Sequence, residues 1–192
     1  MRVGFAWTVY IIEEYIKDGN LKDYLIRTEL SNDQRETIVS QIAQSILFLH
    51  SNFIVHPDLK MENILVDVSS SQIQTKIIDF GLSKSFTINE SMSDKYGTLL
   101  YLPPEIVLNI KYSYKIDIWL FGIITYTVLN KGVHPFEKET EVEKLLQKII
   151  ARRFNFSTFT EKYQNILSAC LVRENERADI KTIINMIEGK CK

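Results

Sequence analysis

Cysteine is nearly absent from this 192-residue chain; the two present are Cys170 and Cys191. Two thiols cannot build the disulfide framework of a small secreted domain, and their scarcity fits a reducing compartment, with Cys170 read as a core thiol. Proline and glycine are scarce too, four and seven, which excludes collagen-like and low-complexity chains. Neither sign of charge is in excess: 23 Lys and Arg stand against 24 Asp and Glu, a net charge of −1. That balance gives no electrostatic footprint for nucleic acid or an anionic membrane. Long hydrophobic runs are lacking as well. The longest, Ile118 to Leu129, falls well short of the roughly 20 residues a spanning helix needs, so it reads as a buried helix. Val3 to Ile12 is apolar, but Glu13 and Glu14 follow at once with no small-residue cleavage site, so no secretory signal is expected. No His/Cys spacing suggests zinc. His50 reads as a helix-end residue and His134 as a loop residue before Pro135-Phe136. What is present is 45% hydrophobic and 24% charged residues, enough to bury a core, in a chain expected to be soluble and cytoplasmic.

Periodicity gives the elements. Thr8 to Tyr15 is β-branched and aromatic and reads as a strand. Asp18-Gly19 makes a turn, and Asn20 caps a short helix to Leu25. Ser31 and Gln34 form a capping box before a long helix whose Ile38, Ile42 and Ile46 share one stripe; it stops near Ser51-Asn52. Two short strands, Ile64–Val68 and Ile73–Ile78, are joined as a hairpin through Ser69-Ser70-Ser71. Gly81 to Leu102 has no sustained period, and a long loop in a compact domain is usually functional. Lys115 to Leu129, apolar on nearly every side, is a central buried helix. Thr140 and Glu143 form a second capping box, ahead of an apolar face that begins at Val142 and continues through Leu145 and Ile149. Tyr163 to Leu171 and Ile180 to Ile187 are the last two helices.

The chemistry-bearing residues cluster in two places. His56-Pro57-Asp58-Leu59-Lys60-Met61-Glu62-Asn63 lies between the long helix and the hairpin, and Asp79-Phe80-Gly81 ends the hairpin's second strand. Phosphoryl transfer needs a carboxylate beside the attacking hydroxyl and oxygen ligands for the Mg²⁺ that bridges the phosphates. One loop offers Asp58 and Asn63, five residues apart; the strand end offers Asp79; Lys60 offers a compensating charge. A lone Asp or Asn in a loop is usually a turn former or cap. The ordered blocks carry more weight. H-P-D-L-x-x-x-N, then D-F-G, then Pro103-Pro104-Glu105 stand where protein kinases have H-R-D-L-x-x-x-N, D-F-G and A-P-E.

On these motifs the chain resembles a eukaryotic protein kinase of the Ser/Thr type, from about Thr8 almost to its C-terminus. Lys76 to Lys84 and Phe154-Asn155-Phe156 are most similar to the calcium/calmodulin- and calcium-dependent kinases, although no EF-hand loop is present. The resemblance implies an α+β, mostly helical fold: a kinase C-lobe with a remnant of the N-lobe sheet and hinge. Residues 1–15 would be that remnant and the start of the hinge, 16–188 the C-lobe and 189–192 a tail. It implies ATP and Mg²⁺ as cofactors, a protein substrate, and a regulatory protein partner that the sequence does not identify. Asp58 would be the catalytic base and Lys60 a γ-phosphate contact. Asn63 and Asp79 would hold Mg²⁺. The backbone at Glu14 and Ile16 would meet adenine, with Leu65 beneath the ring. Phe80, Gly81, Thr98 and Glu105 would belong to the activation segment. His56 would pack with Phe80, Asp117 would anchor the catalytic loop through backbone N–H groups, and Arg177 would pair with Glu105.

Three departures qualify the resemblance. The Gly-rich loop, the strand lysine and its glutamate should precede Thr8, and Met1 to Trp7 supply none of them. Pro57 replaces the arginine that clamps a phosphorylated activation loop, so phosphates on Ser83, Ser85, Thr87, Ser91 or Ser93 are not expected to be read there, unless Lys84 or Lys95 substitutes. Glu13 stands where an apolar residue usually lines the adenine pocket. The alternative function is therefore a pseudokinase or lobe fragment that serves as a protein-binding module.

Overall fold

A 20-residue helix, α2 (Asn32–Ser51), organises the molecule. The computed structural model describes residues 10–69, 72–87, 92 and 97–190. The Ser31 hydroxyl accepts from the Gln34 N–H while the Gln34 side chain accepts from the Ser31 N–H, which satisfies two otherwise unpaired donors at the helix start. The stripe at Ile38, Ile42 and Ile46, with Val39 and Ala43, is fully buried. It packs against α4 (Ile116–Leu129) and α7 (Ile180–Ile187). Helix α4 is buried almost all round, including Trp119 and Phe121. On its far side lies α6 (Glu161–Cys170). The two approach so closely that a Cβ at Gly122 would sit 2.8 Å from Cys170 Cβ. Burial raises the Cys170 thiol well above its ordinary range, which makes it an inert core group.

The smaller elements position the loops. Helix α1 (Leu21–Arg27) is capped by Asn20, whose side chain accepts from the Asp23 N–H. Strands β2 (Ile64–Asp67) and β3 (Gln74–Ile77) pair antiparallel, Ile64 opposite Ile77. Gln41 of α2 pins β3: its amide donates to Ile73 O at 2.9 Å and accepts from Thr75 N at 2.8 Å. A second pair joins β1 (Ile54–Val55), just after α2, to β4 (Lys84–Ser85). The remaining helices are α3 (Pro104–Val107) and α5 (Val142–Ala151). No helix among the described residues is long and apolar enough to cross a membrane.

Four expectations change. Residues 10–15 form no strand: Tyr10, Ile11, Ile12 and Tyr15 are more than four-fifths exposed, and among the described residues no strand pairs with them to take their backbone hydrogen bonds. Thr8 and Val9 lie outside the described residues, as do Ser70, Ser71, Ser91, Ser93, Lys95 and Cys191. Helix α5 is capped at Glu141, not Thr140, with no side-chain bond. Its Val142 is exposed, because only Leu145 and Ile149 point into the core. The aperiodic stretch after Gly81 does contain a strand, β4, too short for periodicity to reveal.

His134 gives a pH dependence. Its Nδ1 accepts from the Phe136 N–H at 3.1 Å, and burial lowers its pKa from 6.5 to about 4. The unfolded chain therefore binds the proton more readily between those values. Stability from this group is fully present above pH 6.5 and is lost as pH falls toward 4. At about 1.4 kcal/mol per unit, the wild type should lose about 2–3 kcal/mol more between pH 7.5 and 4.5 than His134→Gln does. Urea midpoints at the two pH values measure this; equal losses in the two proteins would contradict it.

Candidate active site

The loop after β1 is held from below. Asp117, fully buried at the start of α4, accepts the His56 N–H on both carboxylate oxygens at 3.1 Å. The His56 ring donates through Nε2 to Ile78 O at 3.0 Å, since a carbonyl can only accept. It packs on Phe80 with centroids 5.3 Å apart. Leu59, fully buried, fastens the middle of the loop. These contacts leave the Asp58 carboxylate near the surface, its side chain 13% exposed.

Asp58 is the hub of the cluster. Lys60 Nζ lies 2.7 Å from its Oδ2, and the Thr98 hydroxyl donates to its Oδ1 at 3.2 Å. Lys60 also donates to Thr98 Oγ1 at 3.0 Å. Asn63 Nδ2 donates to the Asp58 carbonyl at 2.9 Å and its carboxylate at 3.3 Å. Two long-range links bring these together: Thr98 arrives from 40 residues further along the chain, and the Ile78 N–H donates to Asn63 O at 2.9 Å. Gly97 allows the first approach. It sits at φ +118°, where a side chain would be strained, and a Cβ there would lie 3.0 Å from Leu102 Cδ2.

Asp79 follows Ile78 and is exposed. It adopts the left-handed region at φ 62° and ψ 68°, rare for a non-glycine residue, and its carboxylate accepts from the Gly81 N–H at 3.4 Å. Among the described residues it makes no direct bond to Asp58 or Asn63. The Asn63 amide has its nitrogen committed to Asp58, which leaves Oδ1 as an acceptor. One carboxylate and one amide oxygen suit Mg²⁺, which commonly takes one or two carboxylates and fills its remaining positions with phosphate oxygens and water.

The expected adenine-side residues are less gathered. Ile16 is buried. Leu65 bridges Asn20 across from its β3 partner Lys76. Glu14 is exposed and its carboxylate pairs with Lys76. Glu105 and Arg177 meet in a buried bidentate pair, at 2.5 and 2.8 Å. Sequence reasoning took His50 for a simple helix-end residue. In the structure its Nε2 lies 2.9 Å from Asp117 Oδ2, a contact across 67 residues that no local pattern could have signalled.

A profile of the protein kinase domain matches residues 6–186. The chain belongs to the protein kinase family. Its relatives include the probable serine/threonine-protein kinase MARK-A of Dictyostelium discoideum, 36% identical over 92% of this chain and 17% of that protein. Calcium-dependent protein kinase 4 of Plasmodium falciparum is 38% identical over 77% of this chain and 28% of its own length. SNF1-related protein kinase catalytic subunit alpha KIN12 of Arabidopsis thaliana is 36% identical over 73% and 28%. The kinase chain thus spans between a sixth and a third of the length of these curated relatives. They include a calcium-dependent kinase, as the Lys76 to Lys84 run suggested, and an SNF1-related kinase beside it.

Proposed function

We propose that this chain carries the phosphotransfer half of a protein Ser/Thr kinase, moving the γ-phosphate of ATP to a protein hydroxyl. The observation that supports it is the Asp58 carboxylate bonded at once by the Lys60 ammonium and the Thr98 hydroxyl. A general base must sit within hydrogen-bond reach of the proton it takes, and Asp58 already holds a hydroxyl at that distance. An acceptor Ser or Thr entering beside Thr98 would give its proton to Asp58 as its oxygen attacks phosphorus. Lys60 would offset the charge on the transferring group. Asn63 and Asp79 would hold Mg²⁺, whose charge would neutralise the phosphates. Backbone at Glu14 and Ile16 would meet adenine above Leu65. Phe80, Gly81, Thr98 and Glu105 would shape the activation segment, with His56, Asp117 and Arg177 supporting it. A cytoplasmic location rests on the cysteine usage alone.

The sequence contains no Gly-rich phosphate loop, so the 192-residue chain alone should bind Mg·ATP weakly. A ligand at 100 times its Kd stabilises by about 2.7 kcal/mol, or several degrees in Tm for a domain of this size. No such rise is expected at micromolar ATP, and a saturable one would contradict the prediction. The function itself is tested by labelled phosphate transfer to Ser and Thr peptides, in a protein that carries this chain together with a Gly-rich loop, with Asp58→Asn as the control. Inactivity with nucleotide bound would favour the binding-module reading.

A further inference from the structure

Beside the His50–Asp117 bond, and lined in part by His50, lies a cleft of about 410 Å³, within the range of small-molecule sites. It opens at the exit of α2, between β4 and the start of α7. Its walls include Leu47, His50, Phe53, Phe86, Tyr114 and Ile180. The surfaces are mostly apolar and aromatic: Phe86 and Tyr114 stack at 4.7 Å with planes 13° apart, and the His50 ring meets both edge-on. Phe53, at the mouth, is half exposed and held at φ 57°, a left-handed conformation uncommon for an aromatic residue. Asp179 and Lys181, which also line the cleft, carry opposite charges.

The informative group is His50. Its side chain is 7% exposed, yet Nδ1 is buried with no hydrogen-bond partner. An unpaired buried polar atom is costly, and few native structures leave many. The tautomer follows from the other nitrogen. Asp117 accepts the His56 N–H on both oxygens, so toward His50 it is an acceptor also, and Nε2 must carry the proton. With the proton on Nε2, the Nε2–H tautomer carries a bare lone pair on Nδ1. An occupant of this cleft that completes His50 must therefore be flat and apolar in its body and must donate one hydrogen bond. We propose that the cleft is a ligand site separate from the phosphotransfer cluster, taking a small aromatic molecule whose N–H or O–H is donated to His50 Nδ1. Because Asp117 bonds both His50 and the His56 N–H, occupancy is also felt at the His56 amide.

Indole and 1-methylindole test this with the 192-residue chain. They share the same ring system, and only indole has the donor. Long-range ¹H–¹⁵N spectra of ¹⁵N-histidine-labelled protein should show His50 protonated at Nε2 and bare at Nδ1 before addition. Indole should shift the Nδ1 signal and the His56 amide saturably, and should bind about fivefold more tightly than 1-methylindole, the scale of one net hydrogen bond. Leu47→Trp, which fills the cleft, should abolish both responses. Protonation at Nδ1 in the free protein would overturn the proposal. So would equal affinity for the two probes, or the absence of a saturable His50 shift with indole, which would leave the cleft to solvent only. The tautomer and the probe comparison are read on the wild type, so the proposal stands or falls even if Leu47→Trp fails to fold.

Discussion

Arg177→Ala should lower the free energy of unfolding by about 3–5 kcal/mol, the usual result of stranding one member of a buried ion pair. Arg177 is 2% exposed and Glu105 3%. The guanidinium meets both Glu105 oxygens, donates from Nε to Val172 O at 3.2 Å and from Nη1 to Lys115 O at 3.2 Å, and lies 5.1 Å over the Trp119 ring. Alanine removes all of these and leaves the Glu105 carboxylate without its counter-charge. Because Glu105 sits in α3, a few residues after Thr98, the loss should also loosen Thr98 and its neighbours. Combining Arg177→Met with Glu105→Leu should recover part of the stability, since an apolar pair of similar volume leaves no buried charge unpaired. Urea denaturation reads both. An unchanged midpoint for Arg177→Ala would mean that the pair contributes nothing to the native state.

Asp79→Asn should raise the Mg²⁺ requirement for nucleotide binding and slow phosphate transfer together. The substitution keeps the shape of the side chain and removes its charge, and with it the carboxylate proposed to hold the metal. Loss of partners that merely orient metal ligands costs about 10–100-fold in affinity or activity, and loss of a ligand should cost more. Measured in a protein that carries a Gly-rich loop, the variant should show a raised KM for Mg·ATP that excess Mg²⁺ partly restores. A fall in kcat with no change in Mg²⁺ dependence would place Asp79 outside the metal site.

The helices were legible because their signals are local. The Ser31 to Gln34 box, the Ile38 stripe and the unbroken apolar run of α4 each appear where the sequence put them, since capping and 3.6-residue periodicity act within a few turns. The H-P-D-L-x-x-x-N block also marked Asp58, Lys60 and Asn63, which bond to one another, whereas Asp79 of the D-F-G block makes no direct bond to Asp58 or Asn63 among the described residues. What stayed hidden depends on distant partners. Tyr10 to Tyr15 has the composition of a strand, but composition cannot say whether a neighbour exists to pair with it. Strand β4 is two residues long and is defined only by Ile54 and Val55. The hydroxyl of Thr98 reaches Asp58 across 40 residues, and His50 reaches Asp117 across 67. Neither spacing has a sequence signature. Gln41, which no sequence pattern singles out, fastens β3.

The most direct test of the account is a single-turnover comparison of wild type and Asp58→Asn, at saturating Mg·ATP, in a protein that carries this chain with a Gly-rich loop. In the proposed mechanism Asp58 would meet the acceptor hydroxyl, and its contribution would be realised only as that proton is transferred. General-base contributions run to roughly 10²–10⁴-fold. The account predicts a fall of that size in the rate of γ-phosphate transfer to a Ser or Thr peptide, with nucleotide affinity changed by no more than about twofold, well below that effect. Transfer by Asp58→Asn at a rate close to wild type would contradict it.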